Sequence, residues 1–98
     1  MDIVKKTEGT TLEMVLNGRI DTTTAPVLES ELNASINGVT ALVLDFTGVQ
    51  YISSAGLRIL LAAQKMMNKQ GSMVLRGVND DIKDVFEITG FIDILTLE

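Results

Sequence analysis

Ala41-Leu42-Val43-Leu44-Asp45-Phe46-Thr47-Gly48-Val49-Gln50-Tyr51-Ile52-Ser53-Ser54-Ala55-Gly56-Leu57 runs from an almost continuous apolar segment, through a polar and glycine-containing link, into a pair of serines. Ala41 to Phe46 lacks a clean two-residue alternation. That pattern fits a strand buried on both faces, as in a sheet covered by helices. From Ser53 to Gln70 the apolar residues recur at helical spacing. Ser53 or Ser54 is placed to cap that helix and Gly71 to end it. A buried strand linked to a long helix is the core of a parallel crossover, and it sets the fold class.

Working outward, Met73 to Val78 reads as the next strand. Asn79 or Asp80 then caps a short helix that runs through Phe86 and Ile88 and closes at Gly90. Ile94 to Leu97 is a final strand or a loose terminus. Upstream, Val27, Leu28, Leu32 and Ile36 mark another helix, with Pro26 in its first turn and Thr24 or a nearby threonine as its cap. Asn37-Gly38 ends it. Leu12, Met14 and Leu16 alternate with Thr11, Glu13 and Val15, which is strand periodicity. Ile3 to Thr7 precedes them, and Gly9-Thr10 between the two runs predicts a hairpin. The order is β-β-α-β-α-β-α, with room for a last strand. It predicts a mixed sheet of four to five strands with an N-terminal antiparallel hairpin and three to four helices. The class is α/β, or α+β by some conventions. A single domain over residues 1–98 is expected, with no linker, repeat or low-complexity tract.

Composition narrows the chemistry. Eight basic and thirteen acidic residues give a formal charge of −5, with no histidine and no cysteine. A direct nucleic-acid binder would show a basic balance or stripe. Disulfides, thiol chemistry and Cys/His metal sites are excluded, and the commonest general base is missing. The acids are scattered, so no metal or other cofactor is expected. No apolar run of about 18 residues exists to span a membrane. Met1-Asp2-Ile3-Val4-Lys5-Lys6 lacks the layout of a signal peptide. A cytoplasmic protein is the simplest expectation.

The serine pair carries the functional reading. A hydroxyl at a helix start accepts from free backbone N–H groups, and the positive end of the helix favours anions. Such a serine is either a cap or a place where a phosphate is tolerated. A nucleophilic serine would need a base. The only candidates on the same helix, Lys65 and Lys69, lie about three to four turns away. An enzyme is therefore not expected. Arg58, Ala62, Lys65 and Lys69 form one stripe of the long helix. Leu57, Ile59, Leu60, Leu61, Ala63, Met66 and Met67 form an apolar arc wider than one buried face requires. Exposure of some of Leu57, Leu61 and the methionines beside the serines is one expectation, and complete burial of the helix is the other.

Tyr51-Ile52-Ser53-Ser54-Ala55-Gly56-Leu57-Arg58-Ile59-Leu60-Leu61 resembles the signature of STAS domains of the anti-sigma factor antagonist type. Gly18-Arg19-Ile20-Asp21 is similar to that family's Gly-x-Leu-Asp element. Leu42 to Phe46 resembles its central strand, Gly71 to Gly77 its following strand, and Phe86 to Phe91 its closing helix and glycine turn. The likeness covers nearly the whole chain. It implies the STAS fold and a partner switch. The unphosphorylated protein would bind an anti-sigma factor that is also a serine kinase, and so free a sigma factor. Phosphorylation would release it, and a metal-dependent PP2C-type serine phosphatase would reset the cycle. The common signature is Asp-Ser-Ser/Thr-Gly-Leu, with its first serine modified. Laid on this chain, the acceptor is Ser54, with Ser53 as the alternative. Ser53 stands where the family has Asp, and Ala55 where it has a second hydroxyl. The partner surface implied comprises Asp21, Thr22, Thr23, Ser53, Ser54, Ala55, Gly56, Leu57, Arg58 and Leu61. A non-phosphorylated STAS module in another signalling or lipid-transport assembly is the alternative.

Overall fold

The computed structural model describes residues 1–98. In chain order the elements are β1 (Asp2–Glu8), β2 (Thr11–Ile20), α1 (Ala25–Ser35), β3 (Ala41–Ile52), α2 (Ser54–Gln70), β4 (Ser72–Arg76) and α3 (Asp80–Thr89), followed by one 3-10 turn over Phe91–Asp93. The strands form one mixed sheet in the order β1-β2-β3-β4. β1 and β2 are the antiparallel hairpin, turned at Gly9 with φ +61°. β3 is parallel to both of its neighbours. The two parallel crossovers step in the same direction across the sheet. Right-handed connections therefore lay α1 and α2 on one face, where the two helices pack against each other. The chain is an α/β fold with a four-stranded mixed sheet and three α-helices.

That geometry corrects the expectation of a central strand buried on both faces. Leu42, Leu44 and Phe46 of β3 are fully buried with Leu12, Met14, Leu16, Met73 and Leu75 of the flanking strands. The alternate residues Ala41, Val43 and Asp45 are only half-buried. No helix lies over them. Instead Arg76 of β4 reaches across β3 to ion-pair with Glu13 of β2, and also approaches Asp45 at 3.7 Å. Lys6 of β1 adds a contact to Glu13 at 3.8 Å. Long charged side chains shade the valines on this open face, so apolar residues are tolerated on both sides of the strand.

β3 is also longer than the sequence pattern implies. Pairing with β2 continues to Ile20↔Ile52, with register shifts between Val15 and Asn17 and between Gly18 and Arg19. Each shift places an extra residue in β3. Bulges of this kind break the two-residue period without ending the strand. Val49 and Ile52 thereby return to the buried side. At the C-terminus, Leu97 makes a single parallel bridge to Leu75. The Leu75 amide donates to the Thr96 carbonyl at 2.9 Å, and the Glu98 amide donates to the Leu75 carbonyl at 2.8 Å. The last segment thus covers the free edge of β4.

Candidate functional site

β2 and β3 end side by side, and each leads directly into a helix. Two helix starts therefore meet at one edge of the molecule. At the second, Ser53 has extended backbone angles, φ −93° and ψ 173°, and its Oγ accepts from the Gly56 amide at 3.3 Å. Its own amide donates to the Ile20 carbonyl at 2.8 Å, which ties the serine turn to the end of β2. Ser53 is thus the cap. Ser54 is the first helical residue, exposed, with a hydroxyl that makes no hydrogen bond within the protein.

The first helix start is built differently. Asp21 Oδ1 accepts from the amides of Thr23 and Thr24, both at 3.0 Å, and from the Thr23 hydroxyl at 2.8 Å. The Thr23 hydroxyl, foremost, and the Thr24 amide push the Asp21 pKa down to about 2. Hydrogen bonds to a carboxylate favour its charged form. Thr24 occupies the cap position, yet its hydroxyl does not serve the helix amides. It donates to the Arg19 carbonyl at 2.6 Å and accepts from the Asp21 amide at 2.8 Å. The threonine cap expected from the sequence is therefore not made. The Thr24 side chain does not cap α1 because its hydroxyl is engaged by the Arg19 carbonyl and the Asp21 amide, Pro26 has no N–H to offer, and the Val27 amide goes to the Thr24 carbonyl instead. The turn before it is held by the Asp21 carboxylate.

Thr22, Ala25, Pro26 and Glu29 face Ala55, Arg58 and Ile59 across a shallow depression of about 200 Å³ between the two helix starts. Thr22 is thus brought to the same depression as Ala55 and Arg58, and the Ser53–Ile20 bond puts the serine turn next to the start of the Asp21 turn. Gly56 and Leu57 are placed elsewhere. Both are buried, Leu57 at 7% exposure. A Cβ on Gly56 would stand 2.6 Å from Ile20 Cγ2 and 2.7 Å from Ile52 Cγ1. The missing side chain lets the first turn of α2 sit on the strand ends. These two residues support the turn from below and offer no surface. Leu61 is half-buried, Met66 is exposed and Met67 is buried. The wide apolar arc of α2 is thus mostly core, with Met66 at the α1–α2 seam.

Sequence reasoning missed Pro26, Glu29 and Ile59 in the depression. It also missed the pairing of Arg19 and Tyr51, register partners whose guanidinium and ring stack at 4.4 Å beside the serine turn. Only the register of the bulged strand identifies that pair. No base stands next to the Ser54 hydroxyl, and the Asp21 carboxylate is occupied by its own turn. The arrangement is suited to receiving a group from outside. No group of three His, Cys, Asp or Glu side chains is placed to hold a metal ion, and no helix is long and apolar enough to cross a membrane.

Comparison with known proteins bears on the chain as a whole. The family model described as STAS domain matches residues 2–98. A Bordetella bronchiseptica protein assigned as the anti-sigma factor antagonist BtrV is 42% identical over 81 residues, covering 81% of this chain and 70% of that protein. The anti-sigma-B factor antagonist of Listeria monocytogenes is 31% identical over 97 residues, covering 97% and 85%. Among solved structures, an anti-sigma factor antagonist from Mycobacterium paratuberculosis superposes with a TM-score of 0.88 at 25% identity, covering 98% of this chain and 83% of that one. The Bacillus cell fate determinant SpoIIAA in its phosphorylated form superposes at 0.77 with 16% identity, covering 99% and 91%, a likeness of fold.

Proposed function

The chain belongs to the STAS domain family, and from that premise we propose that it is an anti-sigma factor antagonist switched by phosphorylation of Ser54. In this reading the unmodified protein binds an anti-sigma factor through the edge formed by Asp21 to Thr23, Ser54, Ala55 and Arg58. A sigma factor is thereby freed. The anti-sigma factor acts as a serine kinase and moves the γ-phosphoryl group of ATP onto Ser54 Oγ. The hydroxyl proton leaves to a base on the kinase, since this chain has none nearby. A PP2C-type phosphatase hydrolyses the phosphoserine and resets the cycle. The chain is ligand and substrate throughout, and the cycle runs in the cytoplasm.

One observation carries this reading. Of the two adjacent serines, Ser53 is committed to the cap and Ser54 is exposed and unbonded. Only the second can be modified without unfastening the helix start. A phosphate there adds a charge of about −1.5 to −2 at the positive end of α2. The helix tolerates that charge, and a partner packed on the same edge does not. The test is incubation with ATP and the cognate anti-sigma kinase, read by intact mass. One phosphate on the wild type and on Ser53→Ala, and none on Ser54→Ala, is the expected result. A phosphate retained on Ser54→Ala and lost from Ser53→Ala moves the acceptor to Ser53. An unmodified wild type that still binds a partner assembly identifies a non-phosphorylated module.

A further inference from the structure

Three arginines are present, and two are engaged. Arg76 is ion-paired with Glu13, and Arg19 stacks on Tyr51. Arg58 is exposed and has neither an ion pair nor a hydrogen bond from its guanidinium. It lies four residues after Ser54 on the same helix, so the two side chains share one face. Arg58 lines the depression here, and because helical side chains lean toward the N-terminus, a rotation of its free side chain brings the guanidinium back over the turn that holds Ser54. Ala55 beside it is small and leaves the path open. The first turn of α2 contains no acidic side chain to compete. The other charged groups around the edge are Asp21, Glu29 and Arg19. Asp21 is held within its own turn. Glu29 lines the far wall of the depression, beyond ion-pair distance of Arg58.

We propose that Arg58 is the residue that captures, within the same helix, a phosphate carried by Ser54. The inference rests on Ser54 as the modified residue and deepens that reading. A guanidinium matches phosphate oxygens with two parallel hydrogen bonds, and charge-assisted bonds of this kind are stronger than neutral ones. The modified state then differs from the unmodified one in two ways. A dianion is added at residue 54, and the guanidinium is withdrawn from the depression where a partner would meet it. Phosphorylation both repels and removes a contact.

The test installs phosphoserine at position 54 during translation, so it does not depend on any kinase. The second ionisation of the phosphate is followed by phosphorus NMR in wild type, Arg58→Gln, Arg58→Lys and Arg19→Gln. The helix end contributes equally in all four, so differences isolate the side chains. Arg58→Gln is expected to weaken the phosphate as an acid by about two- to fivefold. Arg58→Lys keeps part of the effect, because a lysine pairs as a point charge. Arg19→Gln leaves the titration unchanged. An Arg58→Gln phosphate that titrates like wild type overturns the proposal, and so does an equal shift in Arg19→Gln. If no anti-sigma kinase modifies the protein and the Arg58 shift is still seen, the pair stands and the kinase reading falls.

Discussion

The two helix starts at the end of the sheet use the same kinds of residues to opposite effect. Before α1, Asp21, Thr23 and Thr24 turn their polar groups on one another and on the Arg19 carbonyl. Before α2, Ser53 makes one capping bond and Ser54 makes none. The first start is closed by its own hydrogen bonds, and the second holds its helix with a single hydroxyl and leaves the next one free. A switch needs both. In the proposed switch, the closed start holds the proposed docking edge in place, and the unbonded hydroxyl is open to modification without loss of the cap.

The largest expected break in this arrangement comes from Gly56. Gly56→Val puts atoms where Ile20 and Ile52 already stand. Overpacking of a tight core site costs about 2–3 kcal/mol. Urea unfolding is expected to shift to lower denaturant by that amount. Binding of the proposed partner is expected to fall with it, since Ser54, Ala55 and Arg58 flank Gly56 on the first turns of α2. A variant with wild-type stability would mean that α2 can lift away from the strand ends, and the two starts would no longer form one frame.

The two serines separate next. Ser53→Ala removes the cap and is expected to cost about 1 kcal/mol, the usual price of a lost N-cap hydroxyl. Ser54→Ala removes an unbonded, exposed hydroxyl and is expected to stay within about 0.5 kcal/mol of wild type. Thermal or urea unfolding of the two single variants decides the matter. Equal losses would show that both hydroxyls serve the helix, which would erase the contrast with the closed turn before α1.

Much of this frame was legible in the sequence because local chemistry determined it. The hairpin at Gly9, the serine start and Gly71 end of α2, and the cap of α3 at Asn79, one of the two candidates there, all lie where single residues dictate them. Of the serine pair, local chemistry left open which one caps, and only the structure shows Ser53 in that role. What the pattern hid depends on pairing between distant segments. The bulges that carry β3 on to Ile52 disguise a strand as a link. The open face of the sheet is apolar enough at Val43 and Ala41 to imitate a covered one, because its shading comes from Arg76 and Glu13 on other strands. Leu57 belongs to the core because Gly56 brings the helix down onto Ile20 and Ile52, a contact that no spacing rule contains. Arg58 was visible as part of a charged stripe, yet its freedom appears only once the partners of Arg19 and Arg76 are known.

The finest distinction between the two starts is their response to acid. Asp21 titrates at about 2 in the folded protein, below its ordinary value of 3.8. A carboxylate with a lowered folded pKa stabilises the fold fully above its unfolded pKa. As pH falls from about 4 toward 2, the unfolded chain takes up a proton that the folded chain refuses, and stability declines. Below about 2 both states are protonated and the contribution is gone. Asp45 is held low as well, chiefly by the Thr47 hydroxyl, so the wild-type acid limb contains more than one group. The difference between wild type and Asp21→Asn isolates the first turn. That difference is expected to be flat above pH 5, to shrink between about pH 4 and pH 2, and to be absent from a Ser53→Ala comparison, because no titratable group holds the cap of α2. A Ser53→Ala difference that also shrank across that window would show that the two starts are coupled through the Ile20 carbonyl. The closed turn would then help to set the serine turn in place.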